Sequence, residues 1–73
     1  MKNENEHILK KKVDYFCKNN SKVHIKFKKG YWKRGYIQET SSDFFILDET
    51  LEGKMPVFYI EILSIEIYSG VKK

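Results

Sequence analysis

Apolar and polar residues change their period once along this chain, close to residue 21. Before it, Leu9, Val13 and Phe16 recur at spacings of four and three, with Ile8 beside them, which predicts an amphipathic helix over about 4–18. Asn3 with Glu6 three residues later fits a capping box, and Asn19–Asn20 supplies a stop. Lys10, Lys11, Lys12 and Lys18 take the other sides, as a solvated face or as a basic helix lying along a phosphate backbone. From Lys22 the period is two. Val23, Ile25 and Phe27 alternate with His24, Lys26 and Lys28, the pattern of a half-buried strand over about 22–29.

Lys29–Gly30 is the next turn, and a second strand is predicted over about 31–40. Neither of its faces is cleanly apolar, and Gly35 suits a sharp bend. Thr40–Asp43 is a turn cluster, followed by strands over about 43–49, 54–60 and 62–68, the last two separated by a tight break around Ile60–Glu61. Pro56 cannot donate to a sheet ladder, which places it at a strand start or on an edge. One helix and five short strands without linker or repeat describe a single domain over 1–73, α+β or a mainly-β small barrel.

The two final strands hold Val57, Phe58, Tyr59, Ile60, Ile62, Leu63, Ile65 and Ile67, more apolar surface than one core face of so small a chain absorbs. An open apolar edge is a template for another chain. Pairing edge to edge with an identical subunit satisfies the backbone, and repeated head to tail it closes a ring. Size leads the same way. A chain of 73 residues buries only about 60% of its unfolded surface and usually needs disulfides, a metal or oligomerisation. Cys17 is the only cysteine, so no disulfide forms within the chain, and a reducing, cytoplasmic compartment is expected. Cys17, His7 and His24 make no zinc spacing. The Ile8–Leu9 pair runs at once into Lys10–Lys12, so no signal peptide is expected, and no apolar run is long enough for a membrane span.

Charge divides the chain. Residues 1–36 carry eleven basic and three acidic side chains, and residues 37–73 carry three basic and seven acidic. A basic first half suits a polyanion, and equally an acidic neighbour such as the other half of an identical subunit.

The order helix, "KVHIKFKKGYWKRGYI", "SDFFILDE" and "GKMPVFYIEILSI" resembles the Sm-like (LSm) superfamily, and within it the Hfq family of bacterial RNA chaperones, over roughly residues 5–68. Gly30 and Gly35, five apart after a "VxIxF" strand, are the most specific element. The resemblance implies a mainly-β fold, in which an N-terminal helix caps a strongly bent five-stranded antiparallel SH3-like barrel. It also implies a homo-oligomeric ring of six or seven subunits, joined through the fourth strand of one and the fifth of the next, that binds single-stranded RNA. The subunit interface would then fall on Val57, Phe58, Tyr59, Leu63, Ile65 and Ile67.

Carried over by residue, the loop after the second strand reads Ser41–Ser42–Asp43–Phe44, with Asp43 at the family's stacking position and Phe44 next to it, expected in the core. The turn where the Hfq family presents Tyr-Lys-His to RNA reads Tyr59–Ile60–Glu61. The aromatic stays, while the cation and the imidazole give way to an acid. On the opposite face, which takes A-rich RNA in that family, the matching positions are Lys26, Gly30, Tyr31 and Lys33. Cations with an aromatic there suit stacking and phosphate contact.

Other chemistry finds little support. Asp43, Asp48, Glu49 and Glu52 are loop acids without a nucleophile or catalytic partner, and no cofactor, metal or small-molecule substrate is expected. His24 is expected at the surface, and Cys17 as a small buried hydrophobe. Trp32 is either a core or interface anchor or an exposed stacking platform, and Arg34 beside it can pair with Asp48, Glu49 or a phosphate. The candidate RNA contacts are Lys26, Tyr31, Trp32, Lys33, Arg34, Asp43 and Tyr59, with Lys10 and Lys11 on the helix. Two other functions fit the residues: a ring-forming scaffold for protein partners, which Glu61 favours, and a small monomeric barrel that binds duplex DNA, which the apolar last strands oppose.

Overall fold

The structure is a computed structural model that describes residues 6–68. Helix α1 (Glu6–Lys18) leads into strands β1 (Lys22–Phe27), β2 (Trp32–Thr40), β3 (Phe44–Glu49) and β4 (Gly53–Phe58), then a 3-10 turn (Tyr59–Glu61) and β5 (Ile62–Ile67). Asn3, the expected cap of α1, lies outside the described residues. Strand ends move by one or two residues from the pattern, most visibly at Tyr59, where the 3-10 turn replaces the end of the strand expected over 54–60.

Leu9, Val13 and Phe16 are the buried face of α1, and full burial of such a side chain contributes roughly 1.5–3 kcal/mol. The helix ends in a Schellman motif. Asn20 is left-handed at φ 53°, its N–H donates to the Cys17 carbonyl at 3.1 Å, and the Ser21 N–H donates to the Phe16 carbonyl at 3.0 Å.

The five strands form one antiparallel sheet in the order β4-β3-β2-β1-β5. Its inner side meets α1 over a core to which β1 gives Val23, Ile25 and Phe27, β3 gives Phe45 and Leu47, and β5 gives Ile62 and Ile65. Cys17 is half-buried and packs against this core rather than within it. Irregularities between Lys26 and Phe27 and between Ile37 and Glu39 shift the register. At Gly35 the sheet needs a residue without a side chain, because a Cβ there would lie 2.9 Å from the Asp48 carbonyl carbon and from the Glu49 Cα. Those are backbone atoms of β3 and cannot swing away.

The outermost strands are β4 and β5, each paired within the chain on one side only. Pro56 sits on the β4 edge, opposite Ile46. The apolar residues of this region divide by face. Val57, Tyr59 and Ile65 are buried in the chain's own core, so their side chains are not available to a neighbouring subunit. Phe58, Ile60 and Ile67 are 41%, 72% and 55% exposed, and Leu63 is half-buried.

Candidate functional site

Residues directly opposite in antiparallel strands share a face of the sheet. The register pairs Lys26 with Trp32, His24 with Arg34 and Lys22 with Tyr36, and on the other side of β1 it pairs Lys26 with Ser64 and His24 with Glu66. Tyr68 follows in the same row, its N–H donating to the Lys22 carbonyl at 2.9 Å. The outward face of β1, β2 and β5 thus gathers Lys22, His24, Lys26, Trp32, Arg34 and Tyr68, together with Glu66, whose carboxylate lies 3.1 Å from the Lys12 ammonium. The Arg34 guanidinium lies 5.3 Å from the centre of the Trp32 ring and 5.2 Å from that of Tyr68, and the Lys22 ammonium lies 5.1 Å from Tyr68. Each such contact is worth about 0.5–1 kcal/mol at an exposed site. Among the described residues neither cation forms an ion pair with a carboxylate.

Arg34 therefore rests on aromatic faces and pairs with neither Asp48 nor Glu49. Trp32, half exposed, is outside the core. His24 is not the solvated histidine its alternation suggests. It is half-buried, edge-on to Trp32 at 4.6 Å and to Tyr68 at 6.3 Å, and its Nε2 is buried without a hydrogen-bond partner. Lys22, His24 and Tyr68 are absent from the sequence-derived candidates. The two-residue alternation that places Lys26 outward also places Lys22 and His24 there, and Ser64, Glu66 and Tyr68 follow it along β5.

The remaining candidates lie elsewhere. Lys33 pairs with Ile25 and so falls on the opposite side of the sheet from Lys26. Its ammonium reaches over the Tyr31 ring at 5.6 Å and lies 3.4 Å from Glu52. Tyr31 in turn stacks on Phe27, with ring centres 4.5 Å apart. Tyr59 is 2% exposed, so no base can stack on it within this chain. Burial pushes its hydroxyl up to about 12, with Asp14 adding to the shift, and the Lys10 ammonium lies 5.5 Å from its ring. Lys10 also lies 3.8 Å from Glu6, whereas Lys11 is exposed. Asp43 is exposed, and its carbonyl accepts the Tyr59 N–H at 3.0 Å. Phe44 is half-buried, 5.3 Å from Phe58, while its neighbour Phe45 fills the core. Of the loop acids, Glu49 holds a turn. Its carboxylate accepts the Glu52 and Leu51 N–H groups at 2.6 and 2.8 Å, and these bonds, that from Glu52 foremost, lower its pKa.

A cleft of about 200 Å³ opens between the β1–β2 turn and the 3-10 turn, lined by Phe27, Lys28, Lys29, Tyr31, Ile60 and Glu61. Gly30, at φ +103°, shapes the first wall. The Lys28 N–H donates to the Glu61 carbonyl at 3.0 Å and ties it to the second. Among the described residues no group of three or more His, Cys, Asp and Glu is placed to hold a metal ion, and no helix is long and apolar enough to cross a membrane.

No family model and no curated protein matches the sequence. Among solved structures, the crystal structure of the pleiotropic translational regulator Hfq is similar, with a TM-score of 0.73 at 20% identity, over 82% of this chain and 98% of that one. The likeness extends over nearly the whole of that chain, and this chain has the mainly-β Sm-like fold that Hfq has.

Proposed function

We propose that this chain assembles into a homo-oligomeric ring of six or seven subunits and binds single-stranded RNA in the cytoplasm, without catalysis. The observation that carries the proposal is the outward face of β1, β2 and β5, where Lys22 and Arg34 lie on aromatic rings and neither forms an ion pair among the described residues. Phosphates supply the missing anions, and Trp32, half exposed, offers a face on which a base stacks, worth about 1–3 kcal/mol. Single strands suit such a platform because their unstacked bases reach aromatic side chains. The open β4 and β5 edges support assembly, and a ring repeats a modest patch around its axis, multiplying avidity.

Titration of short A-rich and U-rich RNAs across a salt series tests this. Binding is expected to weaken steeply with salt, by about 0.7 in log–log slope for each phosphate contacted. Replacing Lys22 and Arg34 together by Glu should abolish it, whereas Lys33→Glu, on the other side of the sheet, should retain most of it. A second function is favoured by Glu61 and by the exposed Ile60 and Leu51: a ring-forming scaffold for protein partners. Absence of RNA binding even at low salt would decide for the scaffold.

A further inference from the structure

The cleft between the β1–β2 turn and the 3-10 turn has a composition that the outward platform does not share. Phe27, Tyr31 and Ile60 give it apolar walls, and Lys28, Lys29 and Glu61 add two cations and one acid to its lining. Its volume of about 200 Å³ lies below the roughly 300–1,000 Å³ of pockets that take drug-sized ligands, and suits a single planar ring system. Ile60 is 72% exposed and leaves an apolar surface on which a planar ring can lie. The walls are pre-set by the Lys28–Glu61 backbone bond and by the Gly30 turn.

Glu61 decides what the occupant is. Its carboxylate has no hydrogen-bond or ion-pair partner among the described residues, and when ionised it only accepts. A carboxylate repels phosphate, so a nucleotide must enter with its phosphate toward Lys28 and Lys29 and the edge of its base toward Glu61. The two carboxylate oxygens then require two adjacent donors. Guanine has them in N1–H and the N2 amino group. Adenine and cytosine set one amino group beside a ring-nitrogen acceptor, and uracil sets one N–H between two carbonyls, so each places a lone pair against the carboxylate. From the two lysines of the cleft's lining and its unpartnered acid we infer that it is a guanine-selective subsite, with Glu61 as the specificity-determining residue. This rests on the RNA-binding function proposed above and adds a base preference to it.

Five-nucleotide RNAs that differ only at the central base, AAGAA against AAAAA, AACAA and AAUAA, provide the test by fluorescence anisotropy on the intact chain. The guanine-containing RNA should bind about tenfold more tightly, the discrimination typical of a good bidentate pair. Inosine at the centre, which lacks the N2 amino group, should give an intermediate affinity. Glu61→Gln, a change at an exposed side chain, should remove the preference for the guanine-containing RNA. In a second readout, guanosine monophosphate but not adenosine monophosphate should move the amide resonances of Ile60 and Glu61. Equal affinity for all four RNAs would overturn the guanine subsite and leave RNA binding standing. Failure of all four to bind at low salt would overturn both.

Discussion

Burial pushes the Tyr59 hydroxyl from its ordinary 10 up to about 12, because the phenolate would form in a site where the residue is 2% exposed. A raised pKa means that the fold favours the protonated form. Its contribution to stability is whole below pH 10, and is lost as the pH rises from about 10 through about 12. Tyr59→Phe keeps the ring against Phe45, 5.6 Å away, and removes the proton. Urea denaturation from pH 9 to pH 12 should show the wild type losing stability more steeply than the variant in that window. Parallel curves would mean that the hydroxyl reaches water. Single residues also show where the pattern of the sequence misleads. Lys33 occupies an inward row, opposite Ile25, yet carries a charge. Its ammonium reaches over the Tyr31 ring and to Glu52, the long stem carrying the charge away from the apolar row. That placement hides the apolar face of β2 and groups Lys33 with Lys26 on a face they do not share. His24 fails in the opposite sense. Alternation puts it outward correctly, but outward is not solvated when Trp32 and Tyr68 stand over it.

Elements were more legible than faces. The helix, the turn at Gly30 and the five strands follow from spacing and turn chemistry, because each uses a local rule that the final packing does not override. The exception is the 3-10 turn at Tyr59–Glu61. It takes Tyr59 inward out of an apolar run that reads equally well as strand. The interface candidates Val57 and Ile65 face the chain's own core for a related reason: an edge strand is named by its place in the sheet, and only half its side chains face away from the core. The end of α1 gives a prediction at this scale. Asn20 holds a left-handed conformation at φ 53° that costs most L-residues roughly 1–2 kcal/mol, while Gly adopts it freely. Asn20→Ala should lower the unfolding free energy by about 1 kcal/mol, and Asn20→Gly should leave it unchanged or slightly raised. A measured loss as large for Gly as for Ala would place the value of Asn20 in its side-chain contacts and not in the Schellman turn.

In the whole molecule the sheet has two unlike edges, and that difference bears on how copies associate. Two β4 edges meeting would make a closed dimer, whereas β4 of one copy meeting β5 of the next is a heterologous contact that repeats from copy to copy and makes a ring when its rotation closes. Phe58 on β4 and Ile67 on β5 are both exposed, so each edge offers apolar surface to the other. The proposed ring therefore predicts a mass of six or seven chains by light scattering at micromolar concentration. Ile67→Lys puts a charge on the β5 edge, a recognised barrier to strand addition. Because Ile67 is 55% exposed and outside the core, the variant should fall to monomer with its far-UV circular dichroism retained. Ile65, two residues earlier on the same strand, supplies the contrast because it is fully buried. Its truncation, Ile65→Val, should cost about 0.5–1.5 kcal/mol of stability without dissociating the assembly. A wild-type mass of two chains would instead select the isologous pairing of like edges. A monomer would remove the ring, and with it the avidity on which tight RNA binding by so small a patch depends.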